Sequence, residues 1–195
     1  RWLNAPDSIG DARRGNSRGA NFYFMIDRPF RTNKKFSVAF GLGISSSHIF
    51  FEKTDVQITG KTPELRFVKT DGQNYYKKYK VATTYLEAPV ELRFSSKPAD
   101  PSKSFKVALG ARVGTLLNAH TKGKILKDAT GNTINSAIQK IAARSYFNSN
   151  RLAATFRIGY GNYTLFGAYM LTPVLKDGAG ADMRLLQVGF SFSGL

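Results

Sequence analysis

The 195-residue sequence contains no cysteine, which excludes disulfides, cysteine nucleophiles and cysteine-ligated metal sites. It also has no apolar run that approaches the roughly 18 residues of a helical membrane span. A helical membrane protein is therefore excluded. A membrane β-barrel is not excluded, because its strands alternate polar and apolar residues and keep the mean hydropathy low.

Acidic residues are scarce: 13 Asp and Glu stand against 29 Lys and Arg, and the net charge is +16. Such a surplus indicates an anionic partner, and nucleic acid is the usual first candidate. The hydrophobic content of 42% argues against a disordered basic tail. The length suits one domain, and we predict a single β-barrel domain over residues 1–195.

The dominant pattern along the chain is a period of two, which is typical of β-strands. In Phe36–Ser45, for example, large apolar residues alternate with Ser, Ala and Gly. Seven strands are predicted in this way, most of them about ten residues long, as a tilted strand needs to cross a bilayer. They are Asn21–Asp27, Phe36–Ser45, Tyr85–Phe94, Phe105–Leu117, Arg151–Tyr160, Asn162–Leu171 and Leu185–Phe192. One helix-like patch is predicted at Ser136–Arg144.

The connections between these strands alternate between long segments, such as 51–84 and 121–150, and short ones. This is the rule of up-and-down barrels in the bacterial outer membrane, whose long loops face outside and whose short turns face the periplasm. Because such barrels have an even number of strands, we predict an all-β, eight-stranded antiparallel up-and-down transmembrane β-barrel. Its first strand would lie upstream of residue 1, with at most Arg1–Leu3 as its end, in a mature and processed chain.

The polar face of the predicted strands combines small residues with charges of both signs, whereas the apolar face carries large groups along its whole length. In a membrane barrel the apolar face meets lipid and the polar face fills the interior. Eight strands enclose just enough room for side chains, so we predict an interior ion-pair network and no open channel. Its members are Asp27, Glu87, Glu91, Arg93, Lys106, Arg112, Arg151 and Arg157.

Residues able to carry chemistry are few. The two histidines, His48 and His120, have no metal-ligand spacing. Glu87 and Glu91 resemble a paired-carboxylate site, but Arg93 beside them favours an ion-pair cluster. We therefore predict a non-enzymatic protein with no catalytic residue, no cofactor and no metal site. An outer-membrane hydrolase or acyltransferase that uses one of the two histidines is an alternative.

One short segment interleaves aromatic and basic groups: Tyr75, Tyr76, Lys77, Lys78, Tyr79 and Lys80. In a soluble protein this pattern would indicate stacking on nucleic acid bases. At the outer membrane interface, tyrosines form an aromatic girdle and lysines meet lipid phosphates. We favour the membrane interface for this segment.

The segment Thr84–Phe94, which reads TYLEAPVELRF, resembles the "YLEIPLxLK" strand of the PorT-like outer-membrane β-barrel proteins of Bacteroidota. Phe36–Ser45, Phe105–Leu117 and Leu186–Phe192 resemble further pieces of that family. The resemblance implies an exported eight-stranded barrel that the outer-membrane assembly machinery inserts. Some members serve the type IX secretion system. Asp7-Ser8-Ile9 also resembles the short O-glycosylation sequence of that phylum.

We therefore expect an integral protein of the Gram-negative outer membrane, a structural or accessory subunit of an envelope complex, with secretion as one candidate role. Its basic outer loops would contact lipopolysaccharide or a protein partner. The predicted outer segments hold 18 basic and 9 acidic residues, and the charged periplasmic turns hold 6 and 1. This spread over both membrane surfaces disfavours nucleic acid and favours lipid phosphates. A soluble β-barrel that binds an apolar ligand or nucleic acid is the alternative from another class.

Overall fold

A computed structural model of the chain describes residues 2–6, 9, 17–60, 62–70 and 74–192. Asp7 and Ser8 of the predicted modification sequence lie outside these residues. The described chain is built almost wholly of β-strands, with one short 3₁₀ turn at Pro101–Lys103. The strands are β1 (Trp2–Leu3), β2 (Arg18–Pro29), β3 (Phe36–Phe51), β4 (Thr54–Gln57), β5 (Arg66–Lys69), β6 (Tyr75–Ser95), β7 (Phe105–Lys127), β8 (Thr133–Ala142), β9 (Asn150–Tyr160), β10 (Tyr163–Met170) and β11 (Arg184–Phe192). Within the described ranges, no helix is long and apolar enough to span a membrane.

One antiparallel sheet joins the strands in the order β1-β11-β10-β9-β7-β6-β3-β2, and β8 pairs with the far end of β7. A separate hairpin is formed by β4 and β5. The seven predicted strands are confirmed as β2, β3, β6, β7, β9, β10 and β11. The all-β, antiparallel, up-and-down order is confirmed with them.

The sheet is not closed, and β2 and β11 lie toward its two ends. The short strand β1 covers only one end of β11, where Trp2 pairs with Leu185 and Leu3 pairs with Arg184. This is the place at which the predicted first strand would end. The eighth strand and the single domain over residues 1–195 stay predictions.

The secondary structure beyond the predicted strands differs from expectation. The helix-like patch Ser136–Arg144 is wrong, because Thr133–Ala142 forms a strand on the free backbone edge of His120–Lys127. The predicted loops 51–84 and 121–150 also contain strands, since β6 and β7 remain paired from Ser95↔Lys106 as far as Tyr75↔Lys127.

Large apolar side chains point outward from the long strands, and small or charged ones face the concave side. Phe24 is 73% exposed and Phe190 is 89% exposed, whereas Ser45 and Glu87 are buried. A soluble barrel with an apolar interior has the reverse arrangement, so that alternative is wrong. We call the outward zone the apolar belt, which comprises Phe22, Phe24, Phe40, Leu42, Ile44, Leu86, Val90, Leu92, Leu109, Val113, Leu152, Phe156, Leu165, Val188 and Phe190.

The strand segments that carry this belt are the membrane-spanning part. Beyond it, on the side of the long connections, apolar residues face inward and form a buried loop cluster. Its members include Trp2, Phe51, Val56, Ile58, Tyr79, Tyr146, Phe147, Met170 and Met183. The Trp2 ring lies 5.7 Å from that of Phe51 and 6.5 Å from that of Phe67, measured between centroids. The loop cluster therefore ties strand ends and long connections together above the belt.

Candidate functional site: an interior charge network and a basic outer face

Glu87 lies at the centre of the concave side and is only 1% exposed. Its carboxylate accepts hydrogen bonds from the Tyr23 hydroxyl and from two guanidinium groups. Arg151 Nε lies 2.7 Å from Oε1, and Arg112 Nη1 lies 3.4 Å from Oε2. Two cations thus share one buried carboxylate, and Arg112 Nε has no hydrogen-bond partner within the described residues.

A second carboxylate, Glu91, lies four residues further along β6, nearer the short turns and on the same face of the strand. It pairs with Arg157 and with Arg93, whose Nη2 lies 3.0 Å away. Arg93 Nη1 also lies 3.4 Å from the Asp27 carboxylate. The two acidic residues therefore organise two neighbouring groups of ion pairs along the interior.

Aromatic and amide side chains complete this network. The Arg151 guanidinium lies 4.0 Å from the Tyr85 ring centroid, a cation–π contact, and Arg112 lies 5.5 Å from the Tyr23 ring. Arg112 also approaches Gln187 at 3.5 Å. Sequence reasoning missed these three neutral residues as members, although each lies on the polar face of its strand.

Of the eight predicted interior residues, the structure brings seven together in these ion pairs. Lys106 is the exception: among the described residues it takes part in no ion pair. The network places opposite charges side by side in the middle of the concave side. Three carboxylates and four guanidinium groups thus occupy this space, with one positive charge in excess.

Glycines on the neighbouring strand make room for both glutamates. Gly114 is directly opposite Glu87, and Gly110 is directly opposite Glu91. A Cβ added to either glycine would lie 2.8 Å from the Cγ of the facing glutamate. The small residues of β7 therefore determine where the two carboxylates can lie.

Gly114→Val is expected to lower the free energy of unfolding by about 1–3 kcal/mol, because the added carbons push Glu87 away from Arg151. Urea unfolding in detergent micelles, followed by far-UV circular dichroism, measures the change. Gly167→Val is the matched control, since a Cβ there has no neighbour within 4 Å. Equal losses of stability in both variants would contradict the proposed role of Gly114.

The aromatic and basic segment at the start of β6 divides between two faces. Tyr79 is buried in the loop cluster, where its hydroxyl lies 3.1 Å from the Val56 carbonyl oxygen. Burial raises the pKa of Tyr79, so the phenol stays neutral. Tyr76 stacks on Tyr79 with centroids 5.9 Å apart. Neither ring faces lipid, because both lie above the belt on the inner side, and the predicted girdle needs correction at these two positions.

The other residues of that segment lie outside the loop cluster. The Tyr75 ring lies 5.9 Å from Lys53 Nζ, and Lys77 is exposed. Lys78 and Lys80 lie on the opposite face from Tyr79, in register with Lys124 and Lys122 of β7.

Basic residues continue across five strands at this level, immediately above the belt. Register places Arg18 beside His48, Lys80 beside Lys122, and Lys122 beside Lys140. Paired residues of an antiparallel sheet point to the same side, which here is the outer side. We call this surface the basic outer face, and it comprises Arg18, His48, Phe50, Lys78, Lys80, His120, Lys122, Lys124 and Lys140.

No acidic residue interrupts the basic outer face in the strand segments that form it, which are 17–20, 46–51, 75–84, 119–127 and 133–142. Burial lowers the pKa of Lys80, and the charges of Lys122, Arg18 and Lys124 lower it further. Like charges held this close repel one another, and an anion would relieve the repulsion.

His48 is the one imidazole of this face with a defined hydrogen-bond pattern. Lys80 Nζ donates to its Nδ1 at 3.3 Å, and its Nε2 lies 3.2 Å from Ser46 Oγ. Because an ammonium can only donate, Nδ1 is the acceptor and the ring proton lies on Nε2. Burial, with the nearby charges of Lys80 and Arg18, lowers the pKa of His48 and favours this neutral form.

His120 lies two strands away from His48, and Ala82 separates them. Burial and the charges of Lys140 and Lys80 lower the pKa of His120. Within the described part of the chain, no group of three or more His, Asp or Glu residues could hold a metal ion. The two histidines thus belong to the basic outer face.

Comparison with known proteins places this architecture in a family. No curated protein and no solved structure matches the chain. A family model described as outer membrane protein beta-barrel domain matches residues 4–172. The match spans most of the chain and agrees with the outward apolar belt and the up-and-down strand order. The chain belongs to this family of outer-membrane β-barrel proteins, and its location is the outer membrane.

Proposed function

We propose that the protein is a non-enzymatic structural or accessory subunit of the envelope, anchored to lipopolysaccharide through its basic outer face. The phosphate groups of the outer-leaflet glycolipid would bind there. PorT-like proteins are the subgroup that the sequence resembles, and a secretion complex is the candidate assembly.

The observation that carries this proposal is the position of the basic outer face. It begins one residue pair above the belt, where Ser46 and Thr84 separate Ile44 and Leu86 from the first cations. The phosphate groups of a glycolipid lie at this height when its acyl chains cover the belt. The six lysine and arginine side chains of this face match a polyanion.

The aromatic ring of Phe50 adds an apolar contact within the cationic surface. Arg18 Cζ lies 5.6 Å from its centroid, and Lys80 Nζ lies 5.9 Å from it. Phe50 lies on β3, between the strands that carry Arg18 and Lys80, and its ring keeps these two cations close together. Arg18 and Lys80 are therefore placed to bind two neighbouring phosphates of one glycolipid without a large rearrangement of their side chains.

The tautomer of His48 supports a non-enzymatic role. A serine nucleophile needs a base that accepts its proton. Nε2 of His48 carries a proton while Lys80 donates to Nδ1, so the ring donates toward Ser46 instead of accepting from it. A carboxylate in the place of Lys80 would give the opposite polarity.

The role as a subunit rests on the charge network of the interior. Glu87 and Glu91 with their arginines occupy the middle of the concave side, and the loop cluster covers its outer end. A barrel of this kind works through its surfaces. Purification from the native membrane in mild detergent, followed by identification of stoichiometric partners, tests this part.

Replacing Lys80, Lys122 and Lys140 by glutamine is expected to weaken lipopolysaccharide binding about a hundredfold. Each cation near an anionic membrane surface contributes about 1 kcal/mol, and the three add to about 3 kcal/mol. Lipid A carrying both phosphates, titrated into the refolded protein in zwitterionic detergent, measures the affinity. Dephosphorylated lipid A is the matched ligand.

Lys35, Lys97 and Lys103 give a control variant with the same charge change on the side of the short turns. This control should bind phosphorylated lipid A as the parent chain does. Equal affinity of the triple variant and the parent, or equal weakening in the control, would refute the lipid role of the basic outer face.

A further inference from the structure

A cavity of about 260 Å³ opens on the concave side at the end of the short turns. The ends of β2, β3, β6, β7, β9 and β10 form it together with the turn at 96–104. Its polar lining includes Asp27, Lys34, Arg93, Lys106 and Arg157. This end faces the periplasm if the short turns do, as in outer-membrane barrels generally.

The charges of this cavity are not balanced. Asp27 and Glu91 engage the guanidinium groups of Arg93 and Arg157. Lys34 and Lys106 have no carboxylate within ion-pair distance in the described part of the chain. Lys34, which is exposed, and Lys106, which is half-buried, therefore leave the recess with an excess of positive charge.

Lys106 is the more informative of the two lysines. It is half-buried, and it lies on the polar face of β7 in register with Ser95. The charge of Arg93 repels Lys106, and Asp27 offsets only part of this repulsion, so an anion that enters the recess would relieve it. The basic outer face lies at the opposite end of the strands and has no part in this cavity.

We propose that this cavity binds a carboxylate of an acidic peptide segment presented by a periplasmic partner, between Lys34 and Lys106. Its volume is below the roughly 300–1,000 Å³ of sites for drug-sized ligands, and suits one or two side chains. Ammonium groups act as point charges, and one on each side of the recess can pair with a single carboxylate, whereas bidentate binding of carboxylate or phosphate uses forked guanidinium groups. The two guanidiniums here are already engaged.

A lipid headgroup fits this place less well than a peptide. Phe36 and Phe105, at the same end of β3 and β7, are exposed on the outward face. Lipid lies against that face, while the cavity opens on the concave side between the strands. An extended peptide approaching from the periplasm meets the cavity directly.

The test uses a hexaglutamate peptide with a neutral fluorophore and the full chain folded in zwitterionic detergent, with anisotropy as readout. Lys106→Gln and Lys34→Gln are each expected to weaken binding about tenfold, the size of a lost charged hydrogen bond. Lys106→Arg keeps the charge and should retain binding. Heat-modifiable mobility on a gel verifies that each variant is folded.

Lys103→Gln is the control, because Lys103 lies in the same turn but does not line the cavity. It should bind as the parent does, and a hexaglutamine peptide should not bind. Unchanged affinity of both Lys34→Gln and Lys106→Gln would overturn the proposal, and so would equal weakening by Lys103→Gln. Displacement of the peptide by millimolar inorganic phosphate with the same lysine dependence would also overturn it, in favour of a phosphate site.

Discussion

Glu87→Ala is expected to lower the free energy of unfolding by about 3–5 kcal/mol, because it leaves two buried guanidinium groups without a counter-ion. Arg112 and Arg151 would then face each other across the space left by one carboxylate. Part of the population should lose its heat-modifiable form on a gel. Urea unfolding in lipid vesicles, followed by far-UV circular dichroism, measures the size of the loss.

A second variant separates the destabilisation caused by unpaired buried charges from the stabilisation that the intact network provides. Replacing Glu87, Arg112 and Arg151 together by methionine removes all three charges, and such replacements are often close to neutral. The triple variant should therefore be more stable than Glu87→Ala alone. Asp182→Asn, which removes an exposed partner of Arg184, should change little. A triple variant less stable than the single one would contradict this account.

Leu109→Arg is expected to lower the stability in lipid by about 2–4 kcal/mol, because it places a cation near the middle of the apolar belt. Ile138→Arg is the matched control on β8, which lies above the belt. The two side chains have similar exposure, at 60% for Leu109 and 55% for Ile138. Ile138→Arg should change stability by no more than about 0.5 kcal/mol.

The comparison depends on the surrounding medium and not on packing within the protein. Refolding into vesicles of stated thickness, with urea titration of the folded form, gives both values under one condition. Equal effects of Leu109→Arg and Ile138→Arg would contradict the assignment of the belt to lipid. A larger effect at Ile138 would show that the bilayer lies at the level of β8 and that the height assigned to it here is wrong.

Much of the fold could be predicted because alternation records which face of a strand is buried. All seven long strands were found in this way, and the outward side of the belt followed from the large residues on it. Their far ends were not found. Lys78 and Lys80 alternate with Tyr79 and Val81, as a strand requires. The outward residues here are cations and not the large apolar residues of a lipid-facing strand, so the alternation is harder to recognise. Strand β8 was missed because its partner edge on β7 is a tertiary feature.

The interior charge network could be predicted from the sequence to a larger extent than the basic outer face. Charge on the polar face was enough to identify Glu87, Glu91 and the arginines that pair with them. Tyr23, Tyr85 and Gln187 carry no charge, and only the register of distant strands brings them to those arginines. The basic outer face also depends on register, since its members come from segments more than a hundred residues apart.

The pairing of Trp2 with Leu185 has a consequence for how the chain folds. The two residues are 183 positions apart in the sequence, so the contact cannot form until the intervening strands have ordered and the loop between them has closed. Folds rich in such distant contacts form slowly. Trp2 is the only tryptophan, and it lies in the loop cluster. Its fluorescence therefore follows the late pairing of β1 with β11, separately from the insertion of the middle strands into lipid.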